Sequence, residues 1–546
     1  MLGLMQEKPL LISSLIDYAA KHHGDAEIVS NTVEGGTHRY TYRDADRRAR
    51  RLGSALLRRG VKLGDRIGTL AWNGYRHLEI YYGVAGIGAI VHTINPRLFP
   101  EQIAYIVNHA EDSYLFVDLT FVPLIEGLGD HLAGVKGVVF MCDRAHMPAV
   151  TLPAGVELLC YEEFIADGDE TYVWPEFDER TACGLCYTSG TTGNPKGALY
   201  AHRSTMLHAY AANLPDVFGL SSRDCVLPVV PMFHVNAWGT AYLAPMVGAK
   251  LVFPGPHLDG ESLQRQMEEE GVTVSAGVPT VWLGLLNYLR SSGKRIDSVK
   301  RLVIGGSACP RAMTKAYGDE YGAHVQHAWG MTEMSPLGTY NTPKAGMASD
   351  LGEEYYDDQL KQGRLIFGLE MKIQDGDGNE LPWDGKAFGD LMVSGHWVCS
   401  AYYKGEGADA HVDGWFRTGD VATIDSRGFM QITDRTKDVI KSGGEWISSI
   451  DLENIAVGHP GVAEAAVISC AHPKWDERPL LVVVRREGTD VSREELLAYF
   501  NGKVAKWWIP DDVQFVEDLP HTATGKILKT KLRERFSDHV LPTAGD

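Results

Sequence analysis

Residues 187–197 read Tyr187-Thr188-Ser189-Gly190-Thr191-Thr192-Gly193-Asn194-Pro195-Lys196-Gly197 and follow a short apolar run that begins at Cys183. Four hydroxyls from Thr and Ser, three glycines and one lysine fall within these eleven residues. Glycine lets a backbone approach an anion closely, and amides, hydroxyls and an ammonium together cradle a polyphosphate. A surface loop is the ordinary fate of such composition, but Lys196 at the end of so regular a run makes a nucleoside triphosphate the first partner to test. A Walker A loop is excluded. It needs G-x-x-x-x-G-K-[ST], with the last hydroxyl on magnesium. Here Pro195 stands where the second glycine should, and Gly197 follows Lys196 in place of Ser or Thr.

Four later stretches carry further chemistry: His327-Ala328-Trp329-Gly330-Met331-Thr332-Glu333, Gly414-Trp415-Phe416-Arg417-Thr418-Gly419-Asp420, Lys441-Ser442-Gly443-Gly444-Glu445-Trp446, and Thr522-Ala523-Thr524-Gly525-Lys526-Ile527. Each alone has a plain reading as a turn, a charged loop or a solvated lysine, since Asp after Gly is an ordinary turn former. Together, in this order and spacing, they resemble the AMP-forming adenylating enzymes, the superfamily of acyl-CoA synthetases, peptide-synthetase adenylation domains and beetle luciferases. The resemblance covers residues 187–530 and is closest to bacterial medium-chain fatty-acid–CoA ligases and 3-methylmercaptopropionate–CoA ligases.

That resemblance implies roles residue by residue. Thr188, Ser189, Gly190, Thr191, Thr192, Gly193 and Lys196 would hold the phosphates of ATP. Gly306, Ser307, His327, Ala328, Trp329 and Gly330 would face the nucleotide, with Trp329 replacing the usual tyrosine beside the adenine. Either aromatic offers a stacking face. Thr332 would reach the α-phosphate, while Glu333 and Thr188 would bind magnesium, a hard cation that takes oxygen ligands. Asp420 and Arg435 would hold the ribose. Lys441, Gly443, Gly444 and Trp446 belong to the loop along which the family runs pantetheine, and Lys526 matches the adenylation lysine. His234, Trp238, Gly305, Gly306 and Pro336 would line the acid side. Lys437 matches the position about which these enzymes pivot their C-terminal domain.

The implied reaction has two steps: a carboxylic acid and ATP give acyl-AMP and pyrophosphate, then the thiol of coenzyme A displaces AMP. The reading is a short-to-medium-chain acyl-CoA ligase, foremost for a medium-chain fatty acid, with 3-(methylthio)propionate as the alternative acid. A carrier-protein-loading domain, a luciferase-like oxygenase and a non-catalytic nucleotide-binding module stand as rivals. The resemblance also implies a homodimer through the N-terminal domain.

Composition sets the frame for this chemistry. The 546 residues hold 52 Lys and Arg against 71 Asp and Glu, a net charge of −19. That field repels nucleic acid and anionic membrane, so an anionic ligand needs a local basic cluster. No apolar run spans a bilayer and no leader stands at Met1, so the chain reads as cytoplasmic, with no stable membrane insertion. Eight cysteines do not make a disulfide scaffold, and Cys183 and Cys186, though spaced C-x-x-C, read as buried strand thiols.

Strand signals at 67–71, 89–93 and 114–118 alternate with helical ones, including a capping-box pattern at Thr41-x-x-Asp44. The rhythm resumes after the phosphate loop, with strands expected at 225–229, 250–253, 272–276 and 301–304. This predicts an α/β fold: a large N-terminal domain, 1–434, of parallel sheets with flanking helices, and a β-rich subdomain from about 363 to 434. A hinge at Lys437 joins it to a small, mobile α+β domain, 435–546. The arginines at 47, 48, 50, 51, 58 and 59 read as solvated helix faces, and the acidic, aromatic stretch 350–358 as an exposed loop.

Overall fold

The computed structural model describes every residue except 2, 189–193, 443–444, 522–526 and 546. Seven of the short apolar runs form one sheet, in the order Glu157–Cys160, Gly137–Phe140, Asp112–Val117, Arg66–Leu70, Ile90–Thr93, Ala182–Tyr187 and Gly197–Ala201. All neighbours are parallel except the last pair, which is antiparallel. Parallel strands are buried on both faces, which is why these runs read as continuous apolar segments without alternation.

A second sheet of fourteen strands has two characters. Glu27–Asn31, Lys250–Phe253, Cys225–Pro228, Val274–Gly277, Arg301–Ile304 and His324–Gly330 pair in parallel. From His324–Gly330 onward the pairing turns antiparallel, through Leu337–Tyr340, Gly363–Leu365, Phe429–Arg435, Trp415–Ile424, Phe388–Gly395 and Leu369–Gln374. The β-rich stretch expected from about 363 therefore continues the large sheet by hydrogen bonding. Its Gly and Asp turns permit the short hairpins that parallel crossovers cannot use.

Between the two sheets lies the helix Tyr75–Gly86, all of whose residues are buried. Its charged residues Arg76 and Glu79 are buried in ion pairs, with Glu162 and Arg48 at 2.8 Å. Its His77 takes a hydrogen bond with Thr69 Oγ1 at 3.0 Å through Nε2 and one with Trp72 O at 3.0 Å through Nδ1, and burial lowers the ring's pKa to about 4. The neutral imidazole thus pins the helix start to the strand Arg66–Leu70.

Two expectations fail in ways tertiary contacts explain. Arg48 and Arg50, on the helix Tyr42–Arg58, are not solvated. Arg48 pairs with the fully buried Glu79 at 2.8 Å and with Glu162 at 3.0 Å, and Arg50 pairs with Asp46 and Asp17. Residues 350–358 are not an open loop either. Glu353–Asp358 is a helix whose Tyr355 and Tyr356 are buried, their hydroxyls donating to Val325 O at 2.8 Å and Asp319 Oδ1 at 2.6 Å. Cys183 and Cys186 do lie buried in a strand, and burial pushes their thiols up to about 12 and about 11.

The C-terminal residues build a separate five-stranded sheet from Ile440–Ser442, Glu445–Ile447, Val462–His472, Asp476–Arg485 and Asp512–Val516. Its own core gathers Leu452, Val467, Leu481, Val483 and Leu496. Residues 436–439 lead from the long sheet to this one. The helix Ser449–Val457 docks back across them: Ser449 N donates to Asp434 Oδ2 at 2.6 Å, and Lys529 joins Ser449 Oγ at 2.5 Å and Glu453 at 2.7 Å. No described helix is long and apolar enough to cross a membrane.

Candidate functional site

A cavity of about 550 Å³ opens at the carboxyl ends of the parallel strands of the long sheet. Val229, Val278 and Gly305 each directly follow a strand, and Ala328, Trp329 and Gly330 end the strand at which pairing changes from parallel to antiparallel. A break in strand pattern leaves a crevice at strand ends, the usual ligand position in open α/β sheets.

One wall comes from the first sheet. Thr188 N donates to Lys196 O at 2.9 Å and Lys196 N donates to Thr188 Oγ1 at 3.3 Å, closing the neck of the phosphate-loop motif. Tyr187, just before the neck, is braced by His109 Nδ1, 2.7 Å from its hydroxyl. Lys196 Nζ sits 5.5 Å above the ring of Tyr402. The Tyr402 hydroxyl donates to Glu333 Oε1 at 2.6 Å, and burial first, then Glu333, raises that phenol above its usual pKa. Tyr200 O–H donates to Thr332 O at 2.5 Å and Cys399 N to Glu333 O at 2.8 Å, so Thr332 and Glu333 are held by their backbone. A hard divalent cation takes oxygen donors and often only one or two protein carboxylates. Glu333, with one oxygen held by Tyr402, and the hydroxyl of Thr188 meet that chemistry. No cluster of three His, Cys, Asp or Glu suited to a metal occurs among the described residues, so a cation here would draw its other ligands from phosphate and water.

On the opposite side Trp329 and Arg435 line the cavity, and the buried Asp420 stands just behind them. Trp329 Nε1 donates to Asp420 Oδ2 at 2.9 Å, and Arg435 Nε lies 2.9 Å from Asp420 Oδ1. Asp420 and Arg435 are cross-strand partners, which sets that second distance. The tryptophan thus fixes the carboxylate through its N–H. His327 does not line the cavity. It is buried behind it, its Nδ1 3.3 Å from Gln359 O, and burial lowers its pKa to about 4. Gly306, Ser307 and Ala328 do line the cavity.

His234, Trp238, Gly305 and Pro336 lie together on the apolar side. A Cβ on Gly305 would stand 3.0 Å from Trp238 Cη2 and 2.9 Å from Ala328 O, so only glycine fits beneath that indole. Trp238 ends a rare element. Val235, Asn236, Ala237 and Trp238 have φ of 46, 55, 51 and 54°, a full left-handed turn without glycine. This conformation costs roughly 1–2 kcal/mol per residue, about 4–8 kcal/mol in all, less where Asn is involved.

Lys437 lines the cavity, and burial lowers its pKa. Ile527 and Leu528, and Lys529 and Arg533 on the helix Lys529–Arg535 that follows them, close the cavity from the C-terminal side. Lys441 lies on the strand Ile440–Ser442, its N–H donating to Glu477 Oε2 at 2.8 Å, away from the cavity. Ser189, Gly190, Thr191, Thr192, Gly193, Gly443, Gly444 and Lys526 lie outside the described residues, as does the side chain of Trp446. Tyr402 and Arg97 are among the lining residues absent from the sequence reading. Arg97 has no ion-pair partner among the described residues, and its guanidinium lies 6.0 Å from the rings of Trp72 and Phe233. Its signal was position: it follows the parallel strand Ile90–Thr93, where binding loops gather.

Residues 16–403 match the family model described as AMP-binding enzyme, and residues 451–526 match the AMP-binding enzyme C-terminal domain. A 3-methylmercaptopropionyl-CoA ligase of Ruegeria pomeroyi is 56% identical over 98% of this chain and 99% of that protein. A medium-chain-fatty-acid–CoA ligase of Ectopseudomonas oleovorans is 51% identical over 99% and 98%. Among solved structures, an anthranilate CoA ligase in complex with anthranoyl-AMP superposes with a TM-score of 0.84 at 24% identity, covering 96% of this chain and 98% of that one.

Proposed function

The chain belongs to the AMP-binding enzyme family, as an acyl-CoA ligase, and from that premise we propose that it activates a short-to-medium-chain carboxylic acid, foremost a medium-chain fatty acid. One observation carries the reading. A single cavity joins the neck of the Thr-Gly loop, the wall of Trp329 and Arg435 with Asp420 held between them just behind it, and the apolar space under Trp238. A nucleotide and an acid can therefore meet inside it.

Asp420 and Arg435 orient the ribose, Trp329 covers the base, and Thr188 with Lys196 receives the phosphates. Magnesium, held by Glu333 and Thr188, supplies charge neutralisation at the phosphates when bound. The acid carboxylate forms a bond to the α-phosphorus as the bond to pyrophosphate breaks. Thr332 stands at that phosphate, and Lys526 opposes the charge that develops there. The place of Ile527 and Leu528 in the cavity wall supports this role for Lys526. In the second step the thiol of coenzyme A loses its proton, bonds to the acyl carbon and releases AMP. The residues after Lys437 then present Lys441, Gly443, Gly444 and Trp446 to pantetheine.

That swing must break the hydrogen bond from Ser449 to Asp434, which spans Lys437. Lys437→Pro fixes φ at the pivot. It is expected to leave acid-dependent pyrophosphate exchange within about threefold of wild type and to slow thioester formation by more than about tenfold. Stopped-flow assays of the two half-reactions check it, and equal rates in both steps would remove Lys437 as the pivot.

A second acid, 3-(methylthio)propionate, is favoured by the 56% identity of the Ruegeria relative. The two candidates differ by a few methylenes at about 0.8 kcal/mol each, a margin that pocket shape can reverse. Screening acids for AMP release with coenzyme A present decides between them. Turnover that needs a carrier protein, or oxygen uptake from the adenylate, would point to the rival activities. The reading includes a cytoplasmic homodimer, which sedimentation and fractionation test.

A further inference from the structure

Taking the space under Trp238 as the acid site, as read above, we propose that Tyr81 and Asn73 are positioning residues for acid selection, holding the left-handed turn Val235–Trp238 in the shape that aims its indole. Both are buried; Asn73 stands between the strand Arg66–Leu70 of the first sheet and the helix that carries Tyr81, whereas the turn follows the strand Cys225–Pro228 of the second. Tyr81 O–H lies 2.6 Å from Met232 O and 3.0 Å from Asn236 Oδ1, reaching the segment just before the turn and a residue within it. Its helix neighbour Tyr82 donates to Ala241 O at 2.7 Å, just beyond the turn. The two tyrosines therefore clasp the turn from either side. Asn73 uses its whole amide on the same segment. Its Nδ2 donates to Pro228 O at 2.8 Å and Val230 O at 2.9 Å, and its Oδ1 accepts from Met232 N at 2.5 Å.

Neither Tyr81 nor Asn73 lines the cavity, so they act through backbone placement. A turn that the local chain disfavours stays left-handed only while its surroundings hold it. The helix Tyr75–Gly86, buried throughout, is a rigid enough part to do so. Removing one phenolic oxygen releases the clasp without leaving a large void. The indole that roofs the acid then shifts, while Trp329, Asp420 and Arg435 on the opposite side keep their places. Acid recognition changes; nucleotide recognition does not.

Tyr81→Phe is expected to raise KM for the preferred acid about fivefold or more, with KM for ATP within about twofold. The ratio of kcat/KM between a short and a medium-chain acid should change with it. A general packing defect would move both substrates together. Glycine populates the left-handed region freely, so adding Ala237→Gly to Tyr81→Phe should recover part of the lost acid preference. A crystal structure of Tyr81→Phe reads the turn independently of activity: φ at residues 235–238 should relax and Trp238 should move. An unmoved turn with unchanged acid preference would overturn the proposal. A wild-type protein that released no AMP with any acid would instead overturn the functional reading, and the crystal structure would still test the clasp.

Discussion

Lys526→Ala is expected to slow acid-dependent pyrophosphate exchange by more than about 10²-fold while thioester formation from supplied acyl-AMP stays within about threefold. In the first step negative charge gathers on the α-phosphate and on the oxygens of departing pyrophosphate. One ammonium about 4 Å away contributes roughly 4 kcal/mol at an effective dielectric of about 20 and about 1 kcal/mol in bulk water. The former corresponds to roughly a thousandfold in rate, the latter to less than tenfold. The lysine thus matters only where water is displaced, and Ile527, Leu528 and Lys529 supply that cover over the cavity. In the second step charge builds on the acyl oxygen and on the phosphate of departing AMP, but on this reading the C-terminal residues have by then swung about Lys437 and withdrawn Lys526. The two rates are measured separately, by isotope exchange into ATP and by coenzyme A acylation. Equal losses in both would mean that Lys526 serves the fold or the nucleotide rather than the first transition state.

Glu333→Gln is the second large effect: a fall of about 10²-fold in the same exchange reaction, since a cation clamp supplies several kcal/mol and about 3 kcal/mol is roughly that factor. The amide keeps the shape of the carboxylate and still accepts from Tyr402 at the oxygen now held at 2.6 Å. Packing is conserved while one unit of charge leaves the cavity. The loss should shrink as magnesium is raised, because weakened ion binding can be offset by concentration. Titrating magnesium against exchange rate in wild type and variant provides the check. A loss that ignored magnesium would take Glu333 out of the cation's shell and leave it a partner of Tyr402 alone.

How much of this could be read beforehand differs from residue to residue. That Thr188, Trp329 and Lys437 line one cavity, with Asp420 bonded to Trp329 behind it, was legible as a set of short motifs, because a tight local loop leaves a pattern in the chain. The α/β alternation was legible for the same reason: strands such as Lys250–Phe253 and Arg301–Ile304 and the helix His202–Ala212 stand where their apolar runs place them. The misses depend on distant partners. Arg48 looks solvated until Glu79 and Glu162 arrive from other elements. Tyr355 and Tyr356 sit among acids that mark a loop, yet their rings fill space beside the helix Arg311–Tyr321. Nothing in Val235-Asn236-Ala237-Trp238 announces a left-handed turn, because it exists through Tyr81, 151 and 155 positions away from its two partners.

The unbroken pairing from Thr37–Thr41 to Leu369–Gln374 has a consequence for heat denaturation. Strands that share backbone hydrogen bonds unzip together, so the parallel and antiparallel halves should lose structure in one cooperative event despite their different topologies. The five C-terminal strands exchange no ladder bonds with either larger sheet among the described residues, and they carry their own apolar centre. Scanning calorimetry should therefore resolve two heat-absorption peaks rather than three, the smaller from the C-terminal strands, and an adenylate that bridges both bodies should draw the peaks together.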